Sequence, residues 1–457
     1  MVVRTGANRW MVVALISNYL GPVYDKFAVR IRQKNSIYLA LSLIARVLNA
    51  SAMFIAIQRF SPSTFGEMSY LQATAVSTVA FSSLGIELSV NAQLTRKLRE
   101  GLRIGPTIMA ACALAFGGMI VACIIISTVF ASQLKISNSA DLAILAVCIY
   151  SSFMIWTSLL TATSFALDSS VRVGLSYIVT SGIFAGFAIF SDAGVSGIGL
   201  MFFLIVAQVA AVSYMALSLL RSAPKLRLKR TITHFEHPTH ETWLEIKTLF
   251  LYGAKQILVV SAVTFSQWLI QRKIVFGDGG ASENAIYSVG NQIFNMMTFI
   301  PLILTPIIVT KLAAAGTDVA RRRKICLDSL RLFGGIAVCA CVAAFVGLRL
   351  GIPFLPARYA AAAETGLIAS LAAAFQIVKS PFSLFFLSEL EASREIASAT
   401  AGALFMIVAT SMFTQLSPNA GTMIRLLGCA LQTVFLVGFF LFETRRNQTR
   451  QPLKTSP

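Results

Sequence analysis

Carboxylates are scarce in this sequence: its 19 Asp and Glu stand against 38 Lys and Arg, and charged residues make up only 12% of the 457 positions. No loop is rich in acid, so the carboxylate clusters that glycosyl-transferring membrane enzymes present are missing, and there is no Walker A, G-x-S-x-G or H-E-x-x-H stretch. An enzyme is therefore not expected, and no cofactor is implied. Histidine is rarer still. His234, His237 and His240 recur at a spacing of three, but Pro238 breaks the helix that would align them and no cysteine is near, so they read as part of a solvated linker and no metal site is expected. The 7 cysteines include no C-x-x-C, sit almost entirely in apolar stretches and read as small buried hydrophobes without a disulfide framework.

Apolar residues are what the chain has in quantity. At 56% hydrophobic, with a mean hydropathy of +0.75, it is too apolar for a soluble globular protein. Twelve stretches are long enough to span a bilayer as helices: 37–57, 68–90, 106–130, 142–166, 173–190, 196–219, 249–270, 286–309, 332–348, 361–386, 396–415 and 423–442. The fold class expected is an all-α integral membrane protein with about 12 transmembrane helices in two lobes of six.

A net charge of +19 could suggest nucleic acid, but its distribution points elsewhere. If both termini and every even connection share one side, 28 of the 38 basic residues fall there and only 6 on the other. That is the positive-inside asymmetry, and it puts both termini in the cytoplasm, with no nucleic-acid partner. The chain divides into an N-terminal cytoplasmic or interfacial segment (1–36), six helices (37–219), a basic cytoplasmic linker (220–248), six more helices (249–442) and a tail (443–457). Residues 10–20 are apolar but short, lack an A-x-A site and run into Pro22 and Asp25, so they read as an interfacial segment rather than a cleaved signal. An even number of spans gives both halves the same orientation, so they can form a repeat about an axis along the membrane normal with a path between them.

The first span carries Arg46 about 13 Å from its start, too deep for easy snorkelling, where a guanidinium costs roughly 2.5–3.5 kcal/mol. Ser42, Arg46, Asn49 and Met53 share its face, so that face should point into the bundle. The second span carries Tyr70, Gln72, Thr74 and Ser77 and ends near Glu87. Laying Gln271-Arg272 over Gln58-Arg59 puts Lys255 opposite Ser42, so each half opens with a helix bearing a buried cation. The eighth span repeats the pattern with Tyr287, Asn291, Asn295, Thr298 and Thr305, and Pro301 and Pro306 should kink it. Substrate-binding candidates are Arg46, Lys255, Asn49, Gln72, Asn291 and Asn295. Glu87, Lys379 and Arg425 support them, the last two lying close enough to interfaces to snorkel. The structural alternative is that Arg46 pairs with Glu87, or with helix-terminal carbonyls, and only holds the bundle together.

Ser63-Thr64-Phe65-Gly66-Glu67-Met68 with Gln72, Leu84-Gly85-Ile86 before the basic TRKL loop, Ala285-Ile286-Tyr287-Ser288-Val289, and the pair Pro301 and Pro306 resemble the polysaccharide exporter and Wzx-type lipid-linked oligosaccharide flippase family. The likeness extends over roughly residues 37–442, within the superfamily that also holds drug/cation antiporters and the lipid II flippase. It departs from relatives that place an acid midway along helix seven, where this chain has Gln267-Trp268. The resemblance implies a V-shaped, MATE-like pair of lobes in a bacterial inner membrane. These would flip an undecaprenyl-diphosphate-linked oligosaccharide (O-antigen, exopolysaccharide or capsule unit) by alternating access. It also implies membrane lipid and glycan polymerase or assembly proteins as partners. A cation-coupled small-molecule antiporter, which wants acids deep in its cavity, and a membrane glycan polymerase or ligase, which wants a long external loop, are the alternatives.

Overall fold

A computed structural model describes residues 37–450 apart from Leu84, 135–138, Asp168, Ala193, 223–239, 316–317, 352–355 and 389–391. The N-terminal segment, His234, His237 and most of the linker lie outside the described residues, as do the side chains of His240 and Lys255. The described chain is helical throughout. In order the helices are α1 (Ile37–Arg59), α2 (Pro62–Ser82), α3 (Ile86–Arg99), α4 (Gly105–Ile125), α5 (Ala140–Ala166), α6 (Ser170–Phe190) and α7 (Gly197–Ser222). The second half continues with α8 (His240–Val275), α9 (Gly280–Ala314), α10 (Val319–Gly351), α11 (Ala362–Ser388), α12 (Ala392–Ser411) and α13 (Pro418–Arg450).

Eight of these helices are long and apolar enough to cross a membrane by length and composition, and the four other expected spans fall on α2 with α3, α8, α9 and α12. Side chains such as Val47, Val342 and Val434, each more than half exposed, give the bundle an apolar outer surface suited to hydrocarbon. Local chemistry sets the breaks. Ser61 caps α2 by accepting from the Thr64 amide at 3.1 Å, and Pro62 occupies the first turn, where its missing N–H is no loss.

Two features differ from the sequence reading. The span expected at 68–90 is two helices, broken at Gly85, whose φ of +65° is left-handed and whose absent Cβ leaves room for Gly253 of α8. Several helices also outrun their apolar stretches: the basic residues 321–324, expected in a loop, ride on the first turns of α10. Hydropathy ends where lipid would end, but the i→i+4 ladder continues wherever nothing stops it.

The halves share a core at their seam, where Phe65, Tyr70 and Leu204 of the first pack in one cluster with Trp268, Ala285, Val289 and Tyr359 of the second, and α8 also enters a core on either side. Leu249, near its start, packs with Ile86, Val90, Leu94 and Ala110 of the first half. Ile270 and Ile274, near its end, pack with Tyr287, Met406 and Ile424 of the second. Across the seam, Asn284 donates to the Gly66 carbonyl at 2.8 Å, and a methyl on Gly66 would collide with the Ala281 carbonyl. Further along, Ser77 donates to Thr264 O at 3.2 Å and Ser261 to Ala80 O at 2.9 Å. Each end is tied as well. Arg358 donates to the carbonyls of Gln58 at 3.2 Å and Phe60 at 2.9 Å, while at the opposite, basic end Lys97 pairs with Glu245 at 2.6 Å. Small residues and buried polar bonds of this kind are what join helices in lipid, where apolar contact alone gives little preference.

Candidate functional site: a central polar cavity

Between the halves lies a cavity of about 420 Å³, lined from α1, α2, α5, α6, α7, α8 and α9. Helical periodicity builds its walls. Ser42, Arg46, Asn49 and Met53 are the inward stripe of α1; Thr264, Gln267, Trp268 and Gln271 are that of α8; Ser288, Asn291, Gln292 and Asn295 are that of α9. The stripes give the cavity its chemistry. Eight carboxamides reach it (Asn49, Gln72, Gln208, Gln267, Gln271, Asn291, Gln292 and Asn295), together with Ser, Thr and Tyr hydroxyls.

Some of these groups are held in place. Gln208 donates to Thr157 Oγ1 at 2.9 Å and Gln72 to the Tyr150 hydroxyl at 3.4 Å. Trp268 is fixed by its indole N–H on Thr74 Oγ1 at 3.0 Å and by Phe130 and Phe265, whose ring centroids lie 4.7 and 5.5 Å from its own. Others, Asn49 and Asn295 among them, have no hydrogen bond to another described side chain and present free polar atoms to the cavity.

Arg46 is the one charged side chain in the described lining, which contains no Asp or Glu. Its guanidinium lies over the Phe299 ring, 4.5 Å from the centroid. No carboxylate of the described residues is within ion-pair distance of it. The structural alternative of an Arg46–Glu87 pair is thus not what is observed: Glu87 stands in the first turn of α3, outside the lining.

Of the six substrate-binding candidates, Arg46, Asn49, Gln72, Asn291 and Asn295 come together in this cavity, and Lys255 belongs to α8 with its side chain outside the described residues. Lys379 and Arg425 differ from expectation. Neither snorkels; they are 7% and 3% exposed inside the second lobe. Lys379 donates to Gln432 Oε1 at 2.8 Å and faces Glu395 at 3.7 Å, away from the cavity. Arg425 reaches Asn291 Oδ1 at 2.5 Å from behind the cavity wall. Position along a span said nothing of which neighbours would close over each head group. Gln208, Gln271 and Gln292 were missed as lining residues. Gln208 is the single carboxamide in its apolar stretch, which is the same signal that singled out Arg46.

A smaller side pocket of about 200 Å³ opens beside the cavity between α1, α9 and α10. It shares Arg46, Asn49, Met53, Gln292 and Asn295 with the cavity, and its other walls, among them Phe54, Ile57, Ile293, Met296 and Leu348, are apolar.

No family model and no curated protein matches the chain. Solved structures do. An inward-facing MATE-family multidrug resistance transporter of the MOP superfamily has a TM-score of 0.71 at 12% identity, covering 92% of this chain and 99% of its own. The lipid II flippase MurJ in an inward closed conformation has 0.66 at 9%, covering 88% and 87%. A Pyrococcus furiosus MOP-superfamily transporter, described as having a binding pocket of reverse polarity that suggests a different function, has 0.58 at 14%, covering 91% and 94%. The chain therefore has the MATE-like, two-lobed all-helical fold of these transporters.

Proposed function

We propose that the chain is a transporter that flips a polyprenyl-diphosphate-linked oligosaccharide across a bacterial inner membrane by alternating access, with its basic end and both termini in the cytoplasm. The observation that carries this reading is the charge and polarity of the cavity: one cation, no carboxylate among the described lining residues, eight carboxamides and a fixed tryptophan. A diphosphate leaving water needs a compensating positive charge, and Arg46 supplies it with a planar fork of donors. Sugar hydroxyls both donate and accept, as carboxamides and hydroxyls do, and their C–H faces pack on aromatic rings. The apolar side pocket next to Arg46 suits a hydrocarbon chain leaving the same head group. No covalent step is required of the protein. Partners on this reading are membrane lipid and the glycan polymerase or assembly proteins that take up the product.

The likeness to multidrug transporters favours a second reading, a cation-coupled antiporter of small molecules. It requires a negative group in the cavity, and none stands in the described lining. One experiment separates the two. The full-length protein in proteoliposomes is expected to move a fluorescent polyprenyl-diphosphate oligosaccharide between leaflets, and not an organic cation. A protein inert toward that lipid that extrudes organic cations along a proton or sodium gradient would overturn the first reading.

A further inference from the structure

We infer that Arg425 is a positioning residue of this cavity: from behind its wall it locks the Asn291 carboxamide so that only hydrogen-bond donors face the cargo. This rests on the reading of the cavity as an anion and glycan site.

The geometry begins with two glycines of α13. A Cβ on Gly421 would come within 2.7 Å of Ile270 Cγ2 and one on Gly428 within 2.6 Å of Met406 Cγ, so α13 closes tightly on its neighbours one turn before and one turn after residue 425. Arg425 is carried inside by that closure and is 3% exposed. Its guanidinium carbon sits 3.7 Å from the centroid of the Phe294 ring, and its Nη1 donates to Asn291 Oδ1 at 2.5 Å. The Nε is buried without an acceptor, and no carboxylate of the described residues lies within ion-pair distance. A buried, unpaired guanidinium is costly, and a protein that needed only packing here would do better with an apolar side chain.

The consequence for Asn291 follows from donor counting. A guanidinium has no acceptor, so the Asn291 atom that meets it must be the oxygen. The amide nitrogen is then turned the other way, toward the cavity that Asn291 lines, and no described residue accepts its protons. An unlocked asparagine could offer either oxygen or nitrogen to a ligand. This one offers two N–H groups, polarised by the charge on its far side. Arg46 on α1 and Asn291 on α9 thus present donors to the same space from opposite lobes, and both suit phosphate or sugar oxygens.

The test is a double-mutant cycle read by ligand-induced thermal shift of the detergent-solubilised full chain. The probe is a short-chain polyprenyl diphosphate, with the matching polyprenyl alcohol as control. Arg425→Met and Asn291→Ala should each weaken the diphosphate-specific response, on the order of tenfold in apparent affinity. The double variant should be no worse than Asn291→Ala alone, because Arg425 acts through Asn291. Asn291→Asp can pair with Arg425, so it should keep the melting temperature of the wild type while losing the response. Additive losses in the double variant, or a wild-type response in Asn291→Asp, would overturn the positioning role while leaving the functional reading intact. A wild-type chain that answers the diphosphate no better than the alcohol would overturn the functional reading, and the role of Arg425 with it.

Discussion

Replacing Arg46 with alanine should change transport far more than stability. On the folding side, the side chain lies over Phe299 at 4.5 Å and has no ion-pair partner among the described residues, so its removal forfeits a cation–π contact of about 0.5–1 kcal/mol. Against that, the guanidinium is exposed to a polar cavity and has no ion-pair partner among the described residues to leave behind. The variant should therefore reach the membrane at normal abundance and melt close to wild type. On the transport side, a charge-assisted hydrogen bond to a phosphate oxygen is worth about 1.5–3 kcal/mol, so the rate of lipid movement at limiting substrate should fall by about 10- to 150-fold. Arg46→Lys keeps the charge but not the fork, and should recover part of the loss. The assay is the proteoliposome flipping measurement, with quantified protein and a detergent melting curve beside it. Normal transport by Arg46→Ala, or a defect accounted for by missing protein, would refute the anion-binding role. So would a melting temperature several degrees below wild type, which would mean that the guanidinium holds the bundle together.

Two further outcomes follow from the packing. Gly85→Ala places a side chain at a φ of +65° with its Cβ 2.6 Å from the Gly253 Cα. The left-handed strain alone is about 1–2 kcal/mol, so a clear drop in melting temperature is expected; a variant as stable as wild type would show that the α3–α8 crossing is not tight. Lys379→Met should cost about 3–5 kcal/mol by leaving Glu395 buried with Ser383 as its remaining partner at 2.8 Å, and adding Glu395→Leu should restore most of the loss. A single variant that melts like wild type would mean that the pair is solvated.

Much of the fold was legible because lipid makes composition speak: a run of apolar residues has few destinations other than a spanning helix. The inward stripes of α1 and α9 were legible for the same reason, since Arg46, Asn49, Asn291 and Asn295 are expensive anywhere except at a polar interior. What could not be read was set by contacts between distant segments. The break at Gly85 depends on Gly253, which lies 168 positions further on. Arg425 looked like a residue near an interface until Gly421 and Gly428 were seen to draw its helix inward. Lys379 was equally ambiguous, because its partners Gln432 and Glu395 arrive from two other helices.

If the proposed function holds, Arg46, the one charged side chain of the described lining, also has an electrical meaning. A cavity that faces the two sides of a membrane in turn carries its lining charge from one potential to the other. With a cargo of two negative charges, the loaded cavity has a net charge near −1, and an inside-negative voltage drives it outward. The empty cavity returns with the +1 of Arg46, and the same voltage draws it inward. Both halves of the cycle then run downhill, each by up to about 2.3 kcal/mol per 100 mV for a charge that crosses the whole field. On the proposed reading a carboxylate in that lining would cancel the charge of the return stroke, so the absence of acid from the described lining bears on how the cycle is powered as well as on what is carried.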